Sequence, residues 1–146
     1  MAPFVSERRY RDPGLRLSDL AGHDIDVVCP RCSAHALVTP TPRRLTCRHC
    51  AYTATWRPSP RGTVWGRPVD PYFARPLWLR TRWRSHVVWA LNRHHLDILR
   101  DYATATLRER GPGGNTTMIS RLPGWFKAAK RRKDMLVALS RLYDRL

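Results

Sequence analysis

Cys29-Pro-Arg-Cys32 and Cys47-Arg-His-Cys50 are two hooks separated by fourteen residues, and together they hold all four cysteines of a 146-residue chain. Two Cys-x-x-Cys hooks at this separation match a tetrahedral four-thiolate zinc site, with Cys29, Cys32, Cys47 and Cys50 as ligands. Four protein ligands leave no open position for water, so the expected Zn2+ is structural, not catalytic. Four thiolates also bind iron, and the spacing leaves a rubredoxin-like site open. A disulfide pairing would suit a small secreted domain, but residues 1–9 offer no apolar stretch of the kind a signal peptide needs. A thioredoxin-like redox pair would need one motif in a βαβ setting, not two symmetric hooks. His49, between two ligands, reads as an exposed histidine and not as a competitor for the metal.

The flanks favour strands. Ile25, Val27 and Val28 lead into the first hook, and Ala36, Leu37 and Val38 leave it. Thr39-Pro-Thr-Pro42 makes a stiff turn, Leu45 enters the second hook, and Tyr52, Thr53, Thr55 and Trp56 leave it. With the hooks, this stretch (roughly residues 24–57) resembles a zinc ribbon, the superfamily that includes ribbons of transcription factors, polymerase subunits and several ribosomal proteins. The resemblance implies that the four cysteines are its ligands. One departure stands out: each hook is followed by Ser33 or Ala51 where glycine is frequent. Neither takes a positive φ as cheaply as glycine, so a distorted turn is expected at one hook.

Charge points to the partner. Lysine and arginine number 27 against 11 acids, a formal charge of +16, which a zinc bound by four thiolates lowers to about +14. Such an excess implies a polyanion, RNA or DNA, held by phosphate contacts and counterion release. No apolar run is long enough for a membrane span, so a cytoplasmic protein without a membrane partner is expected.

Along the chain, residues 1–23 read as an N-terminal arm whose first dozen residues are mobile, and 24–57 as the ribbon. Its surface carries Arg31, Arg43, Arg44 and Arg48 and no acid from Cys29 through Trp56. Residues 58–76, with five prolines, form a stiff wrap or linker expected to lie over the second half. Its aromatics and arginines also describe a single-strand platform, though packing is the more economical reading. Residues 77–146 form a small α+β domain. Alternation from Leu77 to Leu91 predicts two strands turning near Arg84-Ser85, with Arg80, Arg82 and Arg84 in a cationic row. Asn92 caps a helix over 93–110 whose buried stripe is Leu96, Leu99, Ala103 and Leu107, with Gly111 ending it. His94, His95, Asp97 and Asp101 read as an ordinary solvated helix face. A second helix over 133–145 follows the basic run Lys127, Lys130, Arg131, Arg132 and Lys133. Trp89, Leu96, Leu99, Leu107, Leu136 and Leu139 are expected to be buried together. Placing positive charge before that helix opposes its dipole, as a polyanion-binding patch would explain.

The runs Pro76-Leu-Trp-Leu, Trp89-Ala-Leu-Asn-Arg-His-His-Leu-Asp, Leu107-Arg-Glu-Arg and Leu122-Pro-Gly-Trp-Phe-Lys-Ala-Ala-Lys resemble a group of short bacterial zinc-ribbon proteins whose function is not established. That resemblance implies one unit of ribbon and C-terminal part, and carries no activity. The expectation is therefore α+β: an N-terminal four-cysteine zinc ribbon, a small β-hairpin and two main α-helices. The expected function is a non-enzymatic nucleic-acid-binding accessory protein of the ribosome, RNA or transcription machinery. The nucleic-acid contacts would come from Arg43, Arg44, Arg48, Arg80, Arg82, Arg84, Lys127, Lys130, Arg131, Arg132 and Lys133. The alternative is a protein–protein adaptor docking a larger machine through its ribbon. No Ser-His-Asp order, phosphate-cradling loop or metalloprotease motif is present.

Overall fold

Strand β1 (Arg9–Arg11) and the one-turn helix α1 (Leu17–Leu20) open the fold in a computed structural model that describes residues 9–109, 111 and 113–146. Strands β2 (Ile25–Val28), β3 (His35–Pro40), β4 (Arg43–Thr46) and β5 (Thr53–Thr55) form one antiparallel sheet in that order. The period-two alternation dictates its buried side: Ile25, Val27, Ala36, Val38 and Leu45 are all at most 1 % exposed. The Thr41-Pro42 pair, with a cis peptide bond, turns β3 into β4.

The segment after the sheet is ordered around one carboxylate. Asp70, fully buried, accepts the backbone N–H groups of Tyr72 (3.0 Å), Phe73 (2.6 Å) and Arg75 (2.6 Å). Burial pushes its pKa up, and the three N–H bonds pull against that shift. The wrap lies against the cysteine-bearing sheet as well as the second half: Tyr72 packs edge-on to Trp56, and Arg75 reaches the Val28 carbonyl. Leu77 bridges to Val27.

Strands β6 (Leu79–Trp83) and β7 (His86–Ala90) are the expected hairpin, turning at Arg84-Ser85. Arg84 takes φ 55°, the left-handed conformation that glycine normally supplies at such a turn. Helix α2 (Arg93–Thr104) begins at Asn92, whose Oδ1 accepts the His95 N–H at 2.9 Å, the predicted cap. It ends six residues before the expected position. Thr104 bonds back to the Arg100 carbonyl at 2.7 Å, Ala105 is already extended, and strand β8 (Leu107–Glu109) pairs in parallel with β1. A long-range strand partner, absent from any local pattern, outweighs helix propensity here. Gly111 does not cap the helix. A Cβ there would stand 1.6 Å from the Asp12 carbonyl oxygen, so the close approach of the two segments requires glycine.

Residues 9–23 are therefore built into the body: Tyr10 is buried edge-on against Tyr102, and Asp12 accepts the Thr117 hydroxyl. The rest of the expected mobile stretch, residues 1–8, lies outside the described residues. The short helix α3 (Gly124–Lys127) starts after Pro123, and α4 (Arg132–Tyr143) closes the fold against α2 and the hairpin. Leu96, Leu99 and Leu139 are at most 2 % exposed, as expected, and Met135 and Leu142 are buried with them. Leu136 is half-buried, and the Leu107 side chain lies outside the described residues. Trp89 departs from expectation: it is half-buried, edge-on to His95, and lines a cavity.

His95 departs too, since it is 2 % exposed and not on the solvated face. Its Nδ1 accepts the Leu91 N–H at 3.0 Å, and burial pushes its pKa down to about 3. The other acids of that helix behave as surface groups, with Asp97 accepting the Tyr143 hydroxyl and Arg100 within 3.8 Å of Asp97.

A four-cysteine centre and a cationic aromatic stack

Each hook of the cysteine centre is held by its own backbone. Ser33 N–H donates to the Cys29 carbonyl (3.0 Å) and Cys29 N–H to Ala34 (2.8 Å). Ala51 N–H repeats the first bond to Cys47 (2.9 Å), and Cys47 N–H donates to Tyr52 (2.9 Å). Ser33 and Ala51 take φ 62° and 63°, so both turns form alike and neither is distorted. A left-handed non-glycine residue costs about 1–2 kcal/mol, a penalty the chain accepts twice at this one place.

The hooks bring Cys29 Sγ to 3.6 Å from Cys50 Sγ, and Cys32 Sγ to 3.6 Å from Cys47 Sγ, with all four sulfurs within 4.8 Å of one another. No disulfide joins them. A tetrahedron with Zn–S bonds of about 2.3 Å has sulfurs about 3.8 Å apart, so the set fits a single metal ion. The thiols' own chemistry favours a cation. Desolvation opposes ionisation of Cys29, but the N–H groups of Cys32 and Arg31 and the neighbouring sulfurs outweigh it and bring its pKa down to about 6. At Cys32 the Ala34 N–H favours the thiolate, while desolvation and the three other sulfurs push its pKa up to about 12. One thiolate forms readily; a full set needs a dication among them.

The sequence-predicted cations divide into several environments. Arg43 is engaged inside the fold: it donates to the Ala21 carbonyl (2.8 Å) and the Tyr72 hydroxyl (2.9 Å) and lies 3.9 Å over the Tyr72 ring. Arg44 and Arg48 are exposed on the cysteine-bearing sheet. Lys127 is tied to the Ser120 carbonyl at 2.6 Å. Arg132 is half-buried, its Nε without a hydrogen-bond partner among the described residues. Arg80, Arg82, Arg84, Lys130 and Lys133 are exposed.

Two of the basic groups meet on one ring. Arg84, from the hairpin turn, lies 4.8 Å from the Trp83 centroid, and Arg131, from the run before α4, lies 5.6 Å from it. Trp83 and His86 face each other across the hairpin, and Trp125 of α3 stacks on both, at 5.7 Å from Trp83 and 4.3 Å from His86. All three rings are half-buried. This stack was not anticipated from the sequence, which placed its aromatic platform in the wrap. The available signal was the aromatic pair, Trp83 and His86, flanking a two-residue turn, since cross-strand neighbours share a face.

No family model matches the chain, and neither a curated protein nor a solved structure resembles it significantly. Among the described residues, no helix is long and apolar enough to cross a membrane.

Proposed function

We propose that this is a non-enzymatic, cytoplasmic nucleic-acid-binding accessory protein whose Cys29, Cys32, Cys47 and Cys50 hold a structural zinc in the manner of a zinc ribbon. The observation that carries the reading is the meeting of Arg84 and Arg131 over Trp83, within the Trp83–His86–Trp125 stack. Guanidinia beside aromatic rings suit a single strand, because bases stack on rings while phosphates meet cations. Lys130 adjoins Arg131 in the chain, Arg80 and Arg82 project from the hairpin's other face, and the net charge of +16 draws polyanions to the molecule. The metal's part is structural: it would fix the sheet against which the rest of the chain packs.

The test titrates a labelled single strand and a duplex at two salt concentrations, with wild type against an Arg84→Gln, Lys130→Gln, Lys133→Gln triple variant. These three side chains are exposed, so the variant keeps its fold. Arg131 and Arg132 are spared because both are half-buried. The expected result is weaker binding across sequences and a salt slope lower by about one per lost phosphate contact. Equal binding by the two proteins removes the patch. A salt-insensitive complex with one cellular protein, and no strand affinity, would favour the adaptor alternative.

A further inference from the structure

Next to the stack lies a cavity of about 460 Å³, closed on one side by Trp65 of the wrap and walled by Trp89, Leu99, Met118, Trp125 and Phe126. That volume falls within the range of about 300–1,000 Å³ typical of small-molecule sites, which are likewise mostly apolar with a few polar groups. Trp125 is common to the cavity and the stack, so one indole joins them. The cavity's buried polar group is His95. Its Nδ1 accepts the Leu91 N–H, so the neutral ring carries its proton on Nε2, a donor held in an apolar wall. Arg121 stands at the cavity margin, and a shallower depression that shares Trp65 and Arg121 with it adds Arg16. An aromatic slot with one buried donor, cations on its rim and a cationic stack beside it describes a planar heterocycle attached to phosphate.

We infer that this cavity receives one unstacked base of a single-stranded nucleic acid, whose backbone continues across the Trp83–His86–Trp125 stack. The inference rests on the nucleic-acid reading above and names the strand form and the place of one base. A free nucleotide has the same chemistry, base plus phosphate; the strand is preferred because cations accompany both the cavity (Arg121) and the stack (Arg84 and Arg131), as a continuing backbone would need.

The experiment measures binding of full-length, zinc-loaded protein to three probes: a short oligothymidylate, the same backbone with abasic residues, and thymidine monophosphate. Two variants accompany wild type. Val87→Trp fills the cavity from the hairpin without changing charge, and Trp65→Ala removes its exposed cover. The expected result is that the base-bearing strand binds about tenfold more weakly to either variant, the worth of one stacked base. Abasic-strand affinity should not move, and the mononucleotide should bind far more weakly than the strand. If Val87→Trp unfolds, Trp65→Ala alone decides. The inference is overturned if base-bearing and abasic strands bind alike, if neither variant changes their ratio, or if the mononucleotide binds as well as the strand. Those outcomes leave the nucleic-acid reading standing. Absence of binding by every strand at low salt defeats that reading itself.

Discussion

The cysteine-bearing sheet and the hairpin–helix part reach order by different means. The sheet has a thin apolar side, and its two loops are drawn together at four sulfurs. The hairpin–helix part has the deep leucine-rich core of α2, α4 and β6. A sheet of this size buries too little to fold unaided, whereas two amphipathic helices on a hairpin can. Yet the two parts share one hydrophobic cluster. They are stitched by Asp26 N–H to the Leu91 carbonyl (2.9 Å), Trp78 N–H to the Asp26 carbonyl (3.0 Å) and the Val27–Leu77 bridge. The lesson is that a metal held by the four sulfurs would act locally while its consequences spread through the joint.

The largest expected effect comes from breaking the sulfur centre. One zinc per chain should be found by metal analysis, and chelation or Cys47→Ser should remove it, with structural zinc worth about 10–16 kcal/mol in small domains. Amide NMR should then show the sheet losing its signals first, with α2 and α4 surviving longer. Acid should release the ion as well, because thiolates must be protonated for it to leave. Simultaneous collapse of every signal would mean that the two parts are not separately stabilised.

On the other side of the comparison, Leu99→Ala and Leu139→Ala should each cost about 2–5 kcal/mol in denaturant unfolding, with zinc still bound. A change near zero at both would show that the helical core is not what holds that part.

A smaller effect separates the two parts by pH. His95 is buried neutral with its pKa near 3, while in the unfolded chain it titrates near 6.5. Between those values the unfolded chain binds a proton that the folded one refuses, so stability falls as pH drops below 6.5. The loss is on the order of 2 kcal/mol at pH 5. His95→Gln should flatten the stability profile by about one proton over that window. Wild type and variant release metal alike, so their difference isolates the helical part.

The smallest effect concerns the joint. Arg145 Nε donates to the Trp78 carbonyl at 2.6 Å, Trp78 Nε1 donates to the Arg145 carbonyl at 2.7 Å, and His35 of the sheet stacks on the Trp78 ring at 5.0 Å. His35 in turn bonds buried Asp26 at 2.6 Å. Removing Arg145 and Leu146 should cost about 1 kcal/mol, measured by thermal unfolding. A loss several times larger would make the two parts one cooperative unit.

What the residues determined by themselves were the features written within a few positions of one another. The hooks depend on spacing, the hairpin on alternation about Arg84-Ser85, and the stripes of α2 and α4 on a period near four. The cap at Asn92 depends on a bond three residues long. Each of these is a local steric or hydrogen-bonding preference, and each reappears in the structure. Tertiary structure alone decided the pairing of β1 with β8 and the early end of α2. It also decided the withdrawal of Arg43 into contacts with Ala21 and Tyr72, and the meeting of Arg84 with Arg131 on Trp83. The partners in those contacts lie from about twenty to nearly a hundred residues apart. Which of many basic, aromatic or β-favouring segments meets which depends on the sum of all packing, and no window of sequence contains that sum.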